Sequence, residues 1–199
     1  MSDLFKEKAQ DWDVNDVVLQ LSSGIGQAIL DNVNLHNDMQ VMDFGAGTGL
    51  VSGHIAPEVK KITAVDISES MLQQLAEKPE LQGKVDVVCQ DILEKALNQQ
   101  FDLIVSAMAM HHVEDTVKMM QRFAEHLQEG GELALADLDK EDGTFHPPGI
   151  EGVYHDGFER EELEKLMVNA GFNNIKFVTA HTVDKEGKPF PIFLVTAKK

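Results

Sequence analysis

The chain is poor in several residues that would otherwise define its chemistry. Among 199 residues it has one cysteine, one tryptophan and one tyrosine, and its 17 basic side chains are outnumbered by 34 acidic ones. With Cys89 alone, neither an internal disulfide framework nor a four-cysteine zinc site can form. The resulting charge of −17 repels phosphates. Nucleic acid and anionic membranes are therefore disfavoured as partners, and a small neutral or cationic molecule is favoured. Long apolar runs are also missing. The stretch from Leu103 to Met110 is interrupted by Ser106 and falls far short of the roughly 20 residues of a membrane span. The opening Met1-Ser-Asp-Leu-Phe-Lys-Glu-Lys is charged and lacks the apolar centre of a signal peptide. These features predict no integral membrane contact and a cytoplasmic location. They carry no signal for an oligomeric state.

What remains is an alternation of short apolar runs with helical patterns, the signature of an α/β sheet. Strands are predicted at Gln40 to Phe44, Lys61 to Val65, Val85 to Cys89, Phe101 to Ser106 and Glu132 to Ala136. A first helix buries Val17, Val18, Leu21, Ile25, Ala28 and Ile29 on one face. A helical stretch follows the first strand until Pro57, and Ser68 caps the next helix. The helix over Asp115 to Gln128 is stopped by Gly130-Gly131. Another helix runs from Glu159 to Ala170, and a hairpin of Ile175 to Val183 with Phe190 to Ala197 closes the chain. The first five strands should be parallel, with right-handed crossovers. Asp137 to Asp156 is long for a loop and so predicts a functional segment, a substrate lid.

The segment Val41-Met-Asp-Phe-Gly-Ala-Gly-Thr-Gly-Leu50 carries the most chemistry. A strand runs into a glycine turn that opens a helix. Gly45, Gly47 and Gly49 let the backbone bend sharply and approach a ligand. The spacing G-x-G-x-G departs by one residue from the dinucleotide fingerprint, and the P-loop lysine is missing. Asp43, Asp66 and Asp91 then stand at the ends of three successive strands, where open α/β sheets bind ligands. Three acids suit a ligand with an ammonium, a ribose and an adenine. They suit a pyrophosphate poorly.

With these residues in view, the sequence resembles the class I S-adenosylmethionine-dependent methyltransferases. Asp43-Phe-Gly-Ala-Gly-Thr-Gly49 looks like their first motif, Ala64-Val-Asp-Ile-Ser68 their second and Gln90-Asp91-Ile92 their third. Phe101-Asp-Leu-Ile-Val-Ser106 is similar to the fourth, and Leu127-Gln-Glu-Gly-Gly-Glu-Leu133 to the fifth. His111-His112-Val113 and the opening Lys8-Ala-Gln-Asp-Trp-Asp13 resemble the ubiquinone/menaquinone C-methyltransferase-like branch. The resemblance implies a Rossmann-like, seven-stranded, mostly parallel sheet with a C-terminal antiparallel hairpin and helices on both faces. It also implies one domain over residues 1–199, with a helical cap at 1–35 and a lid at 137–156. The cofactor would be S-adenosyl-L-methionine, leaving as S-adenosyl-L-homocysteine.

At matched positions, Asp43, Gly45 and Gly47 would hold the methionine moiety, with Phe44, Ala46, Thr48 and Gly49 completing the turn. Asp66 would take the ribose. Ile67, Met71, Gln90, Asp91 and Ile92 would surround the adenine. Ser106, Ala107 and Met108 would line the floor near the sulfonium, and Trp12 would cover the cofactor. His111 and His112 follow the fourth strand, where the acceptor should lie, and are the catalytic candidates, with His111 preferred as base. Cys89 reads as a buried thiol. Asp137, Asp139, His146, His155 and Asp156 fit no short metal-ligand spacing, so no metal is assigned. Two other readings compete: a nicotinamide-dependent oxidoreductase on a related sheet, and a non-catalytic module that binds S-adenosylmethionine.

Overall fold

The computed structural model describes residue 3 and residues 5–199. Residues 1, 2 and 4 of the expected N-terminal cap lie outside the described residues. Seven strands form one sheet: β1 (Gln40–Phe44), β2 (Lys61–Asp66), β3 (Val85–Cys89), β4 (Phe101–Ala107), β5 (Leu127–Leu138), β6 (Asn173–Lys185) and β7 (Lys188–Lys198). Their order across the sheet is β3-β2-β1-β4-β5-β7-β6. The first five are parallel, and β7 inserts antiparallel between β5 and β6. The mixed, Rossmann-like architecture is the one the sequence predicts. The strand order reverses between β1 and β4, so the carboxyl ends of these two strands flank the position where such sheets bind ligands.

Alternation along the central strands splits the core into two layers. Val41 and Leu103 face one layer, with Ile25 and Ile29 of α1 (Asp16–Asn32), Ile55 of α2 (Leu50–Ile55) and Leu72 and Leu75 of α3 (Glu69–Ala76). Met42 and Ile104 face the other, with Met120 and Phe123 of α4 (Thr116–His126) and Leu163 and Met167 of α5 (Arg160–Asn169). Both faces of the parallel strands are covered, which explains their nearly continuous apolar runs. Each large side chain buried this way contributes roughly 1.5–3 kcal/mol.

Several boundaries differ from expectation, each for a local reason. Helix α4 ends at His126 rather than at Gly130-Gly131. The His126 ring closes it: Nδ1 donates to the Arg122 carbonyl at 2.7 Å, and Nε2 accepts from the Leu97 amide at 2.9 Å. Strand β5 therefore begins at Leu127, and the register shift between Phe101 and Leu103 absorbs the glycines. Cys89 is exposed rather than buried, because β3 is an edge strand. Val17 also faces solvent, at 48% exposure, in the first turn of α1. The hairpin strands run longer than predicted and meet in a two-residue turn, Glu186-Gly187, with φ of 55° and 82°. That conformation matches the twist of the flanking strands. The expected loop starts late, since Asp137 and Leu138 belong to β5.

The connection from 139 to 159 is tied at its base. Phe158 N donates to the Leu138 carbonyl at 2.9 Å and Lys140 N to the Phe158 carbonyl at 3.0 Å. Both oxygens of Asp139 accept from Arg160, each at 2.7 Å. Further along, Phe145 packs edge-on against Phe190, with Lys185 above its ring.

Candidate active site

At the carboxyl ends of β1 and β2, the glycine turn adopts the backbone its sequence predicts. Gly45, Gly47 and Gly49 have φ of 69°, 54° and 79°. The three differ in what surrounds them. A side chain on Gly45 would run into Ala109, and one on Gly49 would meet Leu75 at 2.7 Å. One on Gly47 would meet nothing within 4 Å. Gly47 thus opens onto free space, while its neighbours are glycine because the protein itself closes in. The turn is fixed by the Gly45 and Ala46 amides, which donate to the Val65 carbonyl at 2.8 and 3.2 Å.

Two carboxylates flank this turn. Asp43 is 2% exposed and accepts from Ser52 Oγ at 2.6 Å. Burial pushes its carboxyl up to about 6, against the pull of the Ser52 hydrogen bond, and the nearby charge of Asp66 adds to the rise. Asp66 accepts from the Gly47 and Ser68 amides, each at 2.8 Å. Burial raises it as well. Two like-charged acids short of solvation make a site that gains from a cationic or hydroxyl-bearing ligand.

The other predicted residues separate into groups. Thr48 is buried and donates to Asp13, which is paired with Lys78 at 2.5 Å. Ile67 is 56% exposed and Met71 is buried. Gln90 donates from its amide to the Asp66 carbonyl at 3.0 Å and from its side chain to the Lys95 carbonyl at 2.6 Å. Asp91 accepts from the Leu93 amide at 2.7 Å. The side chains of Phe44 and Ile92 belong to the core, Phe44 lying edge-on to Phe123. Ala46 is buried beside the turn, and Ala107 packs partly buried against the first core layer. Ser106 is fully buried, and its Oγ meets no partner among the described residues. Met108 holds a φ of 54°, pinned by its amide to the Ala136 carbonyl at 2.9 Å. Trp12 is half-buried and lies edge-on to Phe5, which in turn lies edge-on to His112.

His111 and His112 occupy a 3-10 turn, Met110–His112, beyond β4. His111 is 1% exposed, and its Nδ1 lies 2.7 Å from Asp137 Oδ1. His112 Nδ1 lies 2.6 Å from the Gly152 carbonyl. The connection from β5 to α5 lands on the same turn: Tyr154 N and His155 N donate to the His111 carbonyl at 3.0 and 3.3 Å. It also carries His146, whose ring centroid is 5.1 Å from that of His111. Burial pushes both His112 and His146 down to about 4, and the neighbouring His111 adds to the effect. Among the described residues, no group of three or more His, Cys, Asp or Glu side chains is placed to share a metal ion.

A sequence family described as a methyltransferase domain matches residues 41–131, which span the glycine turn and both acids. An uncharacterized methyltransferase of Schizosaccharomyces pombe is 32% identical over 169 residues, covering 75% of this chain and 60% of that protein. Over these residues the chain is similar to the class I S-adenosylmethionine-dependent methyltransferases. It spans about 60% of the length of the first curated relatives it matches.

Solved methyltransferases share the fold throughout. A Haloferax volcanii methyltransferase, solved with the Trm112 methyltransferase activator, superposes with a TM-score of 0.81 at 15% identity, covering 100% of this chain and 98% of that one. The N-methyltransferase NodS of Bradyrhizobium japonicum, solved with S-adenosylhomocysteine, gives 0.73 at 16% identity over 100% of this chain and 99% of that one.

The contacts of three acids are not legible in the motifs. Asp3 accepts from the hydroxyls of Ser68 and Ser70 at 2.8 and 2.6 Å. Asp13 reaches Thr48 from the N-terminal segment, and Asp137 reaches His111 from the end of β5. A single signal was available for the last of these: an acid directly beyond an apolar strand.

Proposed function

We propose that this chain transfers a methyl group from S-adenosylmethionine to a small-molecule acceptor. The observation that carries the reading is the open side of Gly47 between the buried Asp43 and the partly buried Asp66, both raised by desolvation, at the sheet's reversal point. Bound there, the cofactor supplies a methyl group already activated by its sulfonium. Asp43 receives the methionine ammonium, and the Gly45 to Gly49 turn presents its backbone to the same moiety. Asp66 accepts from the ribose hydroxyls. Asp91, Gln90, Ile67 and Met71 bound the adenine, with Ile92 supporting them from the core. Ser106 Oγ, buried without a partner, and the backbone of Ala107 and Met108 form the floor below the reacting centre. Trp12 and the N-terminal segment cover the cofactor, the 139–159 connection covers the acceptor, and both keep water out. Residues 1–199 then act as one methyltransferase domain.

Two features support a small acceptor. The charge of −17 disfavours polyanions. A structural neighbour from Haemonchus contortus, a phosphoethanolamine N-methyltransferase, was solved with phosphomonomethylethanolamine and S-adenosylhomocysteine. Among the described residues no helix is long and apolar enough to cross a membrane.

Calorimetry with S-adenosylhomocysteine, and with NAD as the comparison ligand, tests the reading. We expect saturable binding of the first and none of the second. NAD binding in the absence of S-adenosylhomocysteine binding would overturn it.

A further inference from the structure

We propose that the N-terminal segment is a strap, anchored at Asp13 and latched at Asp3, that governs entry and exit of the cofactor and, through Phe5 against His112, docks the connection that covers the acceptor. The proposal rests on the methyl-transfer reading above for the identity of what lies beneath the strap.

The two ends are held differently. Asp13 accepts from the buried Thr48 hydroxyl at 2.5 Å and pairs with Lys78 at 2.5 Å. Two residues on, the Asn15 side chain accepts from the Val17 and Val18 amides and starts α1. This end is tied to the glycine turn and to a helix packed on the sheet. Asp3 is held beyond the end of β2 instead. Its Oδ1 accepts from Ser68 Oγ at 2.8 Å, and its Oδ2 accepts from Ser70 Oγ at 2.6 Å and from the Ser70 amide at 3.2 Å. None of these donors is charged, and the carboxylate is partly exposed, so this is the end that opens first.

Asp66 stands between the two attachments. It accepts from the Gly47 amide, beside the Thr48 anchor, and from the Ser68 amide, at the latch. Ser68 therefore holds two carboxylates, Asp66 through its amide and Asp3 through its hydroxyl. The charge of Asp3 adds to the rise that burial imposes on Asp66. A latched strap over an empty site thus brings like charges together. A ligand that donates ribose hydroxyls to Asp66 and brings a positive group relieves that repulsion and favours the latched state.

The latch also reaches the other cover. The Phe5 amide donates to Asp3 Oδ1 at 3.0 Å, so a latched Asp3 fixes Phe5. The Phe5 ring meets Trp12 and His112 edge-on, with centroids 6.0 and 5.6 Å away. His112 Nδ1 in turn lies 2.6 Å from the Gly152 carbonyl of the connection. The path from Asp3 through Phe5 and His112 to Gly152 is contiguous. Coupling of this kind is reciprocal, so a docked connection also holds the latch shut.

Two measurements test the strap. Trp12 is the chain's one tryptophan and lies in the strap, so its emission follows S-adenosylhomocysteine binding in stopped flow. Asp3→Ala should raise the dissociation rate by about tenfold, with the association rate unchanged or faster. Ser70→Ala, which leaves Asp3 in place, should act in the same direction more weakly. A dissociation rate unchanged in both variants would overturn the latch, as would an unchanged Trp12 emission during binding that calorimetry records.

Amide exchange needs no ligand. In the free protein at pH 7.5, Asp3→Ala and Phe5→Ala should each lower protection of the Tyr154 and His155 amides, while the Gly45 and Ala46 amides keep theirs. Wild-type protection of Tyr154 and His155 in both variants would overturn the coupling, and so would an equal loss at Gly45 and Ala46. Failure of the wild-type protein to bind S-adenosylhomocysteine would sink the methyl-transfer reading, while the exchange result still decides the coupling.

Discussion

At the carboxyl ends of β1 and β2, the groups proposed to hold the cofactor are backbone amides and carboxylates within a few residues of two neighbouring strand ends. At the β4–β5 side the clustered groups are side chains gathered from three separate segments: the turn after β4, the last residues of β5 and the connection that follows it. The first half is a local backbone device, with glycines holding a left-handed turn while Asp43 and Asp66 stay under-solvated. The second half exists only once β4 and β5 have paired. A backbone device should tolerate almost no change of shape. A side-chain device should tolerate changes of shape and fail on changes of protonation.

The largest expected effect breaks the first half through shape. Gly45→Ala places a methyl against Ala109 on a backbone at φ 69°, where an L-residue already costs about 1–2 kcal/mol. Binding of S-adenosylhomocysteine should be abolished, and thermal stability should fall by several degrees. Gly47→Ala pays only the backbone cost, because nothing lies within 4 Å of its added carbon. Its melting point should stay closer to wild type while cofactor affinity still drops. Equal melting points for the two variants would refute the distinction drawn between the glycines. Next comes Asp66→Ala, which should weaken the cofactor by about 1.5–3 kcal/mol, the range for hydrogen bonds to a charged group. Unchanged affinity in calorimetry would show that the ribose lies elsewhere.

How much of this could be read beforehand follows the same division. The central strands and the glycine turn were legible because their signals are contiguous: apolar runs covered on both faces, then three glycines in five residues. The exposure of Cys89 was not, because Val85-Asp-Val-Val-Cys89 reads the same at the edge of a sheet as at its centre. The end of α4 was hidden by a glycine pair that looks like a stop, while the His126 ring, with partners on both sides, ended the helix earlier. The His111–Asp137 contact was beyond reach for a different reason. It depends on the β4–β5 register, in which Ala107 lies opposite Ala136, and no single sequence encodes parallel register in its local pattern. Both residues were visible, but Asp137 was grouped with the loop instead of with the strand.

A smaller effect sharpens the electrostatic side of the comparison. The carboxyl of Asp43 sits at about 6 in the fold, above the ordinary 3.8, so between those values the folded state holds more protons than the unfolded state. The cost of its burial therefore grows as pH rises through this window and is complete above about 6. Asp43→Asn removes that cost and retains an oxygen for Ser52. At pH 7 the variant without ligand should be more stable by on the order of 1–2 kcal/mol, a little less than a two-unit shift implies, while its cofactor affinity falls. Loss of stability in this variant would mean that the carboxylate is well satisfied and the turn is not held under electrostatic strain.

At the other half of the cleft the sign reverses. His112 and His146 sit at about 4 in the docked structure against an ordinary 6.5, so an undocked connection binds more protons between those values. Docking is at full strength above about 6.5 and weakens as pH falls towards 4. The loss is on the order of 1–2 kcal/mol, most of it from His112, because His146 is only half-buried and solvent screens it. Amide exchange reads both halves in one experiment, after correction for the intrinsic pH dependence. On going from pH 7.5 to 5, protection of the Tyr154 and His155 amides, which are bonded to the His111 carbonyl, should fall. Protection of the Gly45 and Ala46 amides, bonded to the Val65 carbonyl, should hold or rise as the cost of Asp43 is relieved. If the glycine turn loosens first, the assignment of backbone strain to one half and protonation control to the other is reversed.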